Sequence, residues 1–151
     1  MLEQEPASPV IREASVTDAE ALSALVGQLG YPATAHELPG RLEALIGQAN
    51  VVALVAELEH GVVGLVTLHL IRSIHASQPV AWLTSLVVDE AARGRGVGGA
   101  LVRRAEEWAR ERGATRIAVT SALRRTAAHE FYERLGYART GVRLGRSLEE
   151  S

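Results

Sequence analysis

The sequence predicts a single α/β (α+β) domain in which strands alternate with amphipathic helices. Three observations support this fold class. Segments of helical and of strand periodicity alternate along the chain, with glycine or proline between them. Two apolar runs, 51–58 and 62–70, flank a turn that contains Gly61, as in an antiparallel hairpin. The 151 residues suit one ordinary domain, which we expect to span 1–151.

Strands are predicted where β-branched and apolar residues run between turn signals. They are Val10–Ala14, Val51–Leu58, Val62–Leu70, Val80–Val88, Thr115–Thr120 and Tyr137–Leu144. The polar connection Ile71–Pro79 is expected to form a mobile flap over a ligand. We expect loose tails at 1–8 and 145–151. No internal repeat or interdomain linker interrupts this order.

Two helices are predicted in the N-terminal half from the spacing of their capping residues. The first follows the capping-box spacing of Thr17–Glu20 and runs to Gly30. The second follows the same spacing at Thr34–Glu37. Because Pro39 comes soon afterwards, we expect this helix to be short or broken and to end near Gln48.

Two more helices are predicted in the C-terminal half. In Val97–Arg112, apolar residues recur at helical spacing on one face, charged residues occupy most of the remaining surface, and Gly113 ends the helix. The last helix is Thr126–Leu135, which Gly136 closes.

Composition and charge exclude several classes of function. Sixteen Lys and Arg against 18 Asp and Glu give a net charge of −2, so no overall basic field favours nucleic acid or an anionic membrane. The absence of cysteine excludes disulfides and thiolate chemistry, and we predict no metal site. The start lacks the pattern of a secretory signal, and acidic residues interrupt the apolar region 51–71. We therefore expect a soluble, cytoplasmic protein.

The most informative segment is the glycine-rich turn that joins the Val80–Val88 strand to the Val97–Arg112 helix. The first amides of a helix have no internal partner, and the aligned peptide dipoles add positive charge there, so phosphate binds well. The glycines that allow close approach and the arginines that add charge are Gly94, Gly96, Gly98, Gly99, Arg93 and Arg95. We interpret the turn as a pyrophosphate site. The alternative is a plain strand-to-helix turn, while P-loop and dinucleotide-binding patterns fit less well.

Two motifs in this order resemble the Gcn5-related N-acetyltransferases (GNAT). Arg93–Gly98 matches the pattern Arg/Gln-x-x-Gly-x-Gly/Ala, and Ala128–Tyr137 matches a helix followed by glycine and an aromatic residue. The resemblance runs from Val10 to about Tyr137. It implies a mixed, mainly antiparallel central sheet of about six to seven strands, flanked by about four helices. It also implies acetyl-coenzyme A as cosubstrate.

The resemblance assigns roles to particular residues. Those that it places against acetyl-coenzyme A are Leu86, Val87, Val88, Arg93, Gly94, Arg95, Gly96, Val97, Gly98 and Gly99. The amine attacks the acetyl thioester directly, the Val88 amide polarises the carbonyl, and the Tyr132 phenol protonates the departing thiolate. The alternative for Tyr132 is a core position beside Phe131.

No proton acceptor is evident in the sequence. Many relatives carry a glutamate near the middle of the fourth strand, where this chain has Thr84 and Ser85; these hydroxyls could hold a water or a substrate group, or face the core. His69 and His75 are imidazoles that can accept a proton near neutral pH, or they are solvated. His129 either helps to shape the site or is structural. The sequence leaves open whether there is a dedicated base at all.

A basic pair marks a second departure from the pattern. Arg125 stands where relatives of the ribosomal-protein type carry asparagine. Together with the Ala-His-x-Phe-Tyr motif, Arg124 and Arg125 resemble the small-molecule branch that includes aminoalkylphosphonate N-acetyltransferases. The pair could face an acidic substrate, the 3′-phosphate of the cofactor, or solvent.

The resulting interpretation is an acetyl-coenzyme A-dependent N-acetyltransferase that acts on the primary amine of a small molecule. Two alternatives stay open: a peptide or protein N-acetyltransferase with an open groove beside the fourth strand, and a non-catalytic acyl-coenzyme A binding or sensing module. No nucleic-acid or membrane partner is expected. An exposed last strand leaves a homodimer open as well.

Overall fold

The structure, a computed structural model, describes residues 8–28, 36–59, 61–120 and 126–149. These form two compact units, 1–119 and 120–151. The elements of the first unit are β1 Val10–Glu13, α1 Ala19–Gln28, α2 Leu38–Ile46, β2 Val51–Leu58, β3 Gly61–Ile71, β4 Val80–Val88, α3 Val97–Glu111 and β5 Arg116–Val119. The second unit contains α4, Thr126–Arg134. That one domain spans the chain stays a prediction.

The first unit is built on a five-stranded sheet with the order β1-β2-β3-β4-β5. The first three pairings are antiparallel, and β4 pairs with β5 in parallel. The predicted class, a mixed and mainly antiparallel sheet with helices, is confirmed. The predicted number of strands is wrong for the part of the chain that the structure describes, which contains five instead of six to seven.

The predicted last strand, Tyr137–Leu144, is the one that does not form. Residues 137–148 are irregular. Val142 and Leu144, which would share one face of such a strand, are 88% and 90% exposed, so this apolar face is not buried. Gly141 adds a residue without a side chain to pack. The outermost residues of the predicted tails, 1–7 and 150–151, lie outside the described residues.

Helices cover both faces of the sheet. Alternate residues of a strand point to opposite faces, and on one face Val55, Leu65 and Val87 form a core with side chains of α1 and α2. On the other face, α3 packs closely because Gly64 has no side chain. A Cβ added there would lie 2.8 Å from Leu101 Cδ1. The apolar face predicted for α3 is buried, as Val97, Leu101, Ala105 and Trp108 show.

The start of α1 differs from its prediction. A short 3-10 turn, Val16–Asp18, precedes the helix, and the capping box is formed by Ser15 and Asp18 instead of Thr17 and Glu20. The Ser15 amide donates to Asp18 Oδ2 at 2.8 Å. Asp18 is held there by Arg12, whose Nη1 donates to the same oxygen at 2.8 Å. The predicted end of this helix, Gly30, lies outside the described residues.

The second helix is short, as predicted, with Pro39 in its first turn. The first two residues of its predicted capping spacing, Thr34 and Ala35, lie outside the described residues, as does His60 in the β2–β3 turn. No helix in the described ranges is both long and apolar enough to span a membrane.

Candidate functional site

The two edges of β4 are paired to different extents. On the β3 side, pairing runs the whole length of the strand, to Gly64 opposite Val88. On the β5 side, it covers only Val80–Leu83. No strand of the described residues pairs with β4 beyond Leu83 on this side. Backbone N–H and C=O groups of an unpaired edge can bind an extended ligand. The predicted pantetheine-binding residues Leu86–Val88 lie on this part of the strand.

A β-bulge lies where the open edge begins. Thr67 of β3 pairs with Ser85 and Leu68 pairs with Leu83, so Thr84 is the extra residue on β4. A bulge of this kind bends the strand and redirects a side chain. The Thr84 Oγ1 lies 2.7 Å from Thr67 Oγ1 and donates to the Thr67 carbonyl at 3.3 Å. The bulge therefore holds the Thr84 hydroxyl against the hydroxyl of Thr67 on β3.

The turn after β4 has the backbone geometry that an anion site requires. Gly94 and Gly96 adopt left-handed conformations, with φ of +83° and +78°, which favour glycine over residues with a Cβ. Gly96 is the N-cap of α3, and Ala100 donates back to its carbonyl at 3.1 Å. The amides of residues 97–99 therefore have no partner within the helix. We call residues 93–99 the glycine turn.

Two arginines of the glycine turn, and a third on α3, contribute positive charge. Arg93 Nε donates to the Val88 carbonyl at 3.4 Å. Arg95 Nη2 donates to Glu59 Oε1 at 3.1 Å. The Nη1 of Arg103 lies 3.3 Å from the position of a Cβ added at Gly99, so this guanidinium extends over the first turn of α3. Sequence reasoning missed Arg103, although its i+4 spacing from Gly99 is a signal for such a contact.

Two cavities meet at the bulge. The larger has a volume of about 400 Å³ and is lined by residues of β3 and β4 that include His69 and Trp82. The smaller, of about 260 Å³, lies between α1, α2 and strands β2–β4. His69 and Thr84 line both cavities. We call the smaller one the helix cavity. Apolar side chains form most of its wall, and α1 and α2 contribute five of them.

Only some of the residues predicted to contact substrate line the helix cavity. Thr84 and Ser85 line the helix cavity, and so does His69. His75 is exposed in the segment between β3 and β4 and lines neither cavity. Arg124 and Arg125 lie outside the described residues. Arg41 of α2 also lines the helix cavity. Sequence reasoning missed this residue, because nothing in its neighbourhood indicates which strand the helix packs against.

Tyr132 lies in the second unit, on α4. Its side chain is buried, 9% exposed, and its ring lies edge-on to Phe131 with 5.3 Å between centroids. The Tyr137 ring lies 5.6 Å away on another side. The core position beside Phe131 is therefore observed, and the role of Tyr132 as an acid stays a prediction. In the same unit, Arg139 Nη2 lies 3.4 Å from His129 Nδ1.

The sequence and the fold are similar to those of known proteins. The acetyltransferase (GNAT) family model matches residues 20–137. The aminoalkylphosphonate N-acetyltransferase of Salmonella typhimurium is 34% identical over 87 residues, which are 58% of this chain and 56% of that protein. Two further curated relatives are matched over 29% and 46% of their lengths. The chain thus spans about half the length, or less, of these relatives.

Solved structures share the fold over nearly the whole chain. A transcriptional regulator from Bacillus halodurans C-125 has a TM-score of 0.83 and 26% identity, over 93% of this chain and 100% of that chain. An aminoglycoside N-acetyltransferase in complex with coenzyme A has a TM-score of 0.85 and 19% identity, over 98% of this chain and 99% of that chain.

Proposed function

The chain belongs to the GNAT acetyltransferase family, and from this premise we propose that it transfers the acetyl group of acetyl-coenzyme A to the primary amine of a small molecule. One juxtaposition carries the proposal: the glycine turn, with unpaired helix amides, directly follows the strand edge that β5 leaves open. A diphosphate and an amide-containing arm are the two parts of coenzyme A that such a pair of sites would bind.

The glycine turn is suited to the diphosphate. Nothing lies within 4 Å of the Cβ positions at Gly94 and Gly96, so the backbone is open to a ligand. The amides of residues 97–99 would donate to phosphate oxygens, and Arg93 and Arg95 would add positive charge. The open edge at Leu86–Val88 would pair with the pantetheine amides. The thioester would supply the acetyl group as an activated acyl donor.

The transfer needs an oriented acceptor, a polarised carbonyl and two proton movements. In the proposed reaction, the amine nitrogen bonds to the thioester carbonyl carbon, the C–S bond breaks, the nitrogen loses a proton and the sulfur gains one. The Val88 amide donates to the carbonyl oxygen as negative charge develops there. His69, which lines both cavities, is our candidate to accept the proton from nitrogen.

The acid role of Tyr132 rests on the family motif. A phenol can donate a proton to a departing thiolate. We expect Tyr132→Phe to lower kcat by roughly 10- to 100-fold while the dissociation constant of acetyl-coenzyme A stays within about twofold. Tyr137→Phe changes another tyrosine of the same ring cluster and is the matched control, with unchanged kcat expected. Equal kcat for the Tyr132 variant and the wild type would remove this residue from the reaction.

The helix cavity favours a small acceptor over a peptide. Its volume of about 260 Å³ is small for a ligand site. The Salmonella relative, named for acetylating aminoalkylphosphonates, supports an acceptor of this size. A cytoplasmic location completes the proposal, and cell fractionation tests it. The homodimer stays a prediction without its original basis, because the last strand that was expected to pair across it does not form in the described residues; light scattering tests it.

Release of coenzyme A thiol, measured with and without a panel of small amines, separates the proposal from its two alternatives. We expect at least one small amine to accelerate thiol release and to appear as its N-acetyl derivative by mass spectrometry. Acceleration by peptides alone would favour a protein acetyltransferase. Acetyl-coenzyme A binding without acceleration by any amine would favour a sensing module and reject the proposed enzyme.

A further inference from the structure

Among the described residues that line the helix cavity, Arg41 is the only one with a permanent charge, and none is a carboxylate. The other polar lining residues are Thr67, His69, Thr84 and Ser85. A second ammonium group on the acceptor would find no counter-ion in this lining, whereas an acidic group would find a guanidinium.

The Arg41 guanidinium is available to a ligand. Its Nη2 donates to Glu37 Oε2 at 3.2 Å, one turn earlier in the chain. The side chains of Arg41 and Glu37 are 58% and 52% exposed. An ion pair this exposed contributes little to stability and exchanges readily with solvent. A guanidinium has five N–H donors in a planar fork, so it can bind a carboxylate or phosphonate through two of them.

Most of the other lining residues are apolar. Leu22, Leu38 and Leu42 are among them, and no described lining residue is a carboxylate that would compete with an acidic ligand for Arg41. The polar groups, at Thr84 and Ser85 on the bulge of β4, are contributed by a different element from Arg41. The cavity is thus lined by a cation from α2 and by hydroxyls from β4.

We propose that the natural acceptor is a small amine that also carries an acidic group, a phosphonate or a carboxylate, and that Arg41 binds this group while the amine lies toward Thr84. The inference rests on the proposed function and deepens it. It makes Arg41 a specificity-determining residue that contacts substrate without taking part in bond making or breaking.

The test compares four two-carbon primary amines that differ only in the second group. They are 2-aminoethylphosphonate, β-alanine, ethanolamine and ethylenediamine. We expect the wild-type kcat/KM to be at least about tenfold higher for one of the two acidic amines than for ethanolamine, and lowest for ethylenediamine. Comparison of the phosphonate with the carboxylate identifies which acid the site prefers.

Variants assign this preference to Arg41. Arg41→Gln should lower kcat/KM for the preferred acidic amine by roughly 10- to 100-fold, mainly through KM, and leave ethanolamine within about twofold. Arg110→Gln removes an exposed arginine of α3 that lines neither cavity. This variant should leave kcat/KM unchanged for all four acceptors. Glu37→Gln removes the competing carboxylate, so kcat/KM for the acidic amine should stay equal or rise.

Two results would overturn the inference. One is a wild-type preference for ethanolamine or ethylenediamine over both acidic amines. The other is an Arg41→Gln effect of equal size on all acceptors. In both cases amine-dependent thiol release would still support the proposed acetyltransferase, so failure of the inference is distinguishable from failure of the function. Equal melting temperatures of Arg41→Gln and the wild type would confirm that the exposed substitution leaves the fold intact.

Discussion

Arginine side chains in two regions of the first unit have different partners. Near the N-terminus, Arg12 donates to both oxygens of Asp18 at 2.8 Å and to Glu57 at 2.6 Å. In the glycine turn, Arg93 and Arg95 make longer contacts of 3.4 and 3.1 Å at the surface. Carboxylates surround the first arginine, whereas the turn combines its arginines with helix amides that lack a partner within α3.

We interpret this difference as a separation of stability from the proposed ligand binding. The Asp18 side chain is 8% exposed, and Arg12 holds the pKa of this carboxyl below its ordinary value. The two carboxylates in turn raise the pKa of Arg12, so the charged forms stabilise each other. This cluster joins β1, the start of α1 and β2. In the glycine turn, we propose that the amides of residues 97–99 serve a ligand instead.

The largest effect that we expect comes from a carboxylate in the glycine turn. Gly98→Glu should weaken acetyl-coenzyme A binding by roughly 100-fold or more, because it places negative charge where we propose that the diphosphate binds. An acidic residue in the first turn of a helix is itself favourable, so the melting temperature should stay equal or rise. Titration calorimetry and a thermal melt measure both effects.

Gly98→Gln is the matched control, since it adds similar bulk without charge. Its loss of affinity should be much smaller than that of Gly98→Glu. If both variants bind acetyl-coenzyme A equally well, the charge in this turn does not affect binding. The glycine turn would then not be a diphosphate site.

Asp18→Asn should lower stability and leave acetyl-coenzyme A binding unchanged, the reverse of Gly98→Glu. The substitution leaves Arg12 without its buried partner, so we expect the free energy of unfolding to fall by about 1–3 kcal/mol. Acetyl-coenzyme A affinity should stay within about twofold. Denaturant unfolding and calorimetry test the pair of statements. A stable Asp18→Asn protein with impaired binding would contradict a purely structural cluster.

Acid pH should remove the same stabilisation from the wild type. Because the folded pKa of Asp18 is depressed, its contribution is fully present above the ordinary aspartate pKa of about 3.9 and is lost as pH falls through the lower folded value. The stability difference between the wild type and Asp18→Asn should therefore shrink with falling pH in that range. A difference that stays constant would argue against the ionised pair as its source.

The smallest effect is expected for Glu59→Gln, which breaks the exposed ion pair with Arg95. Side chains 33% and 46% exposed make such a pair weak, so the free energy of unfolding should change by less than about 0.5 kcal/mol. Freed from Glu59, Arg95 should bind phosphate slightly better, by up to about threefold at low salt. A tenfold loss of affinity would show that the pair positions Arg95 instead of competing with the ligand.

Elements with a strong local pattern were predictable from the sequence. Strands β2 and β4 have their predicted bounds, and α3 ends one residue before its predicted end. The glycine turn was also located by sequence, because glycines before an amphipathic helix are a local signal. Its two left-handed residues are both glycines, Gly94 and Gly96, so the sequence itself marks where the backbone can adopt a positive φ.

Features that depend on distant partners were not predictable. The sequence contains two overlapping capping-box spacings, Ser15–Asp18 and Thr17–Glu20. The first one forms because Arg12 binds the Asp18 carboxylate. The prediction of a last strand was wrong because no surface of the described residues packs against Val142 and Leu144. Arg41 and His69 meet around one cavity only after α2 has packed against the sheet.

The most direct test of the central claim is calorimetric titration of the wild type with acetyl-coenzyme A and, in parallel, with acetylpantetheine, which lacks the diphosphate. If the glycine turn binds a diphosphate, acetyl-coenzyme A should bind at least about 100-fold more tightly than acetylpantetheine. Equal affinity for the two thioesters, or no binding of acetyl-coenzyme A, would contradict the account.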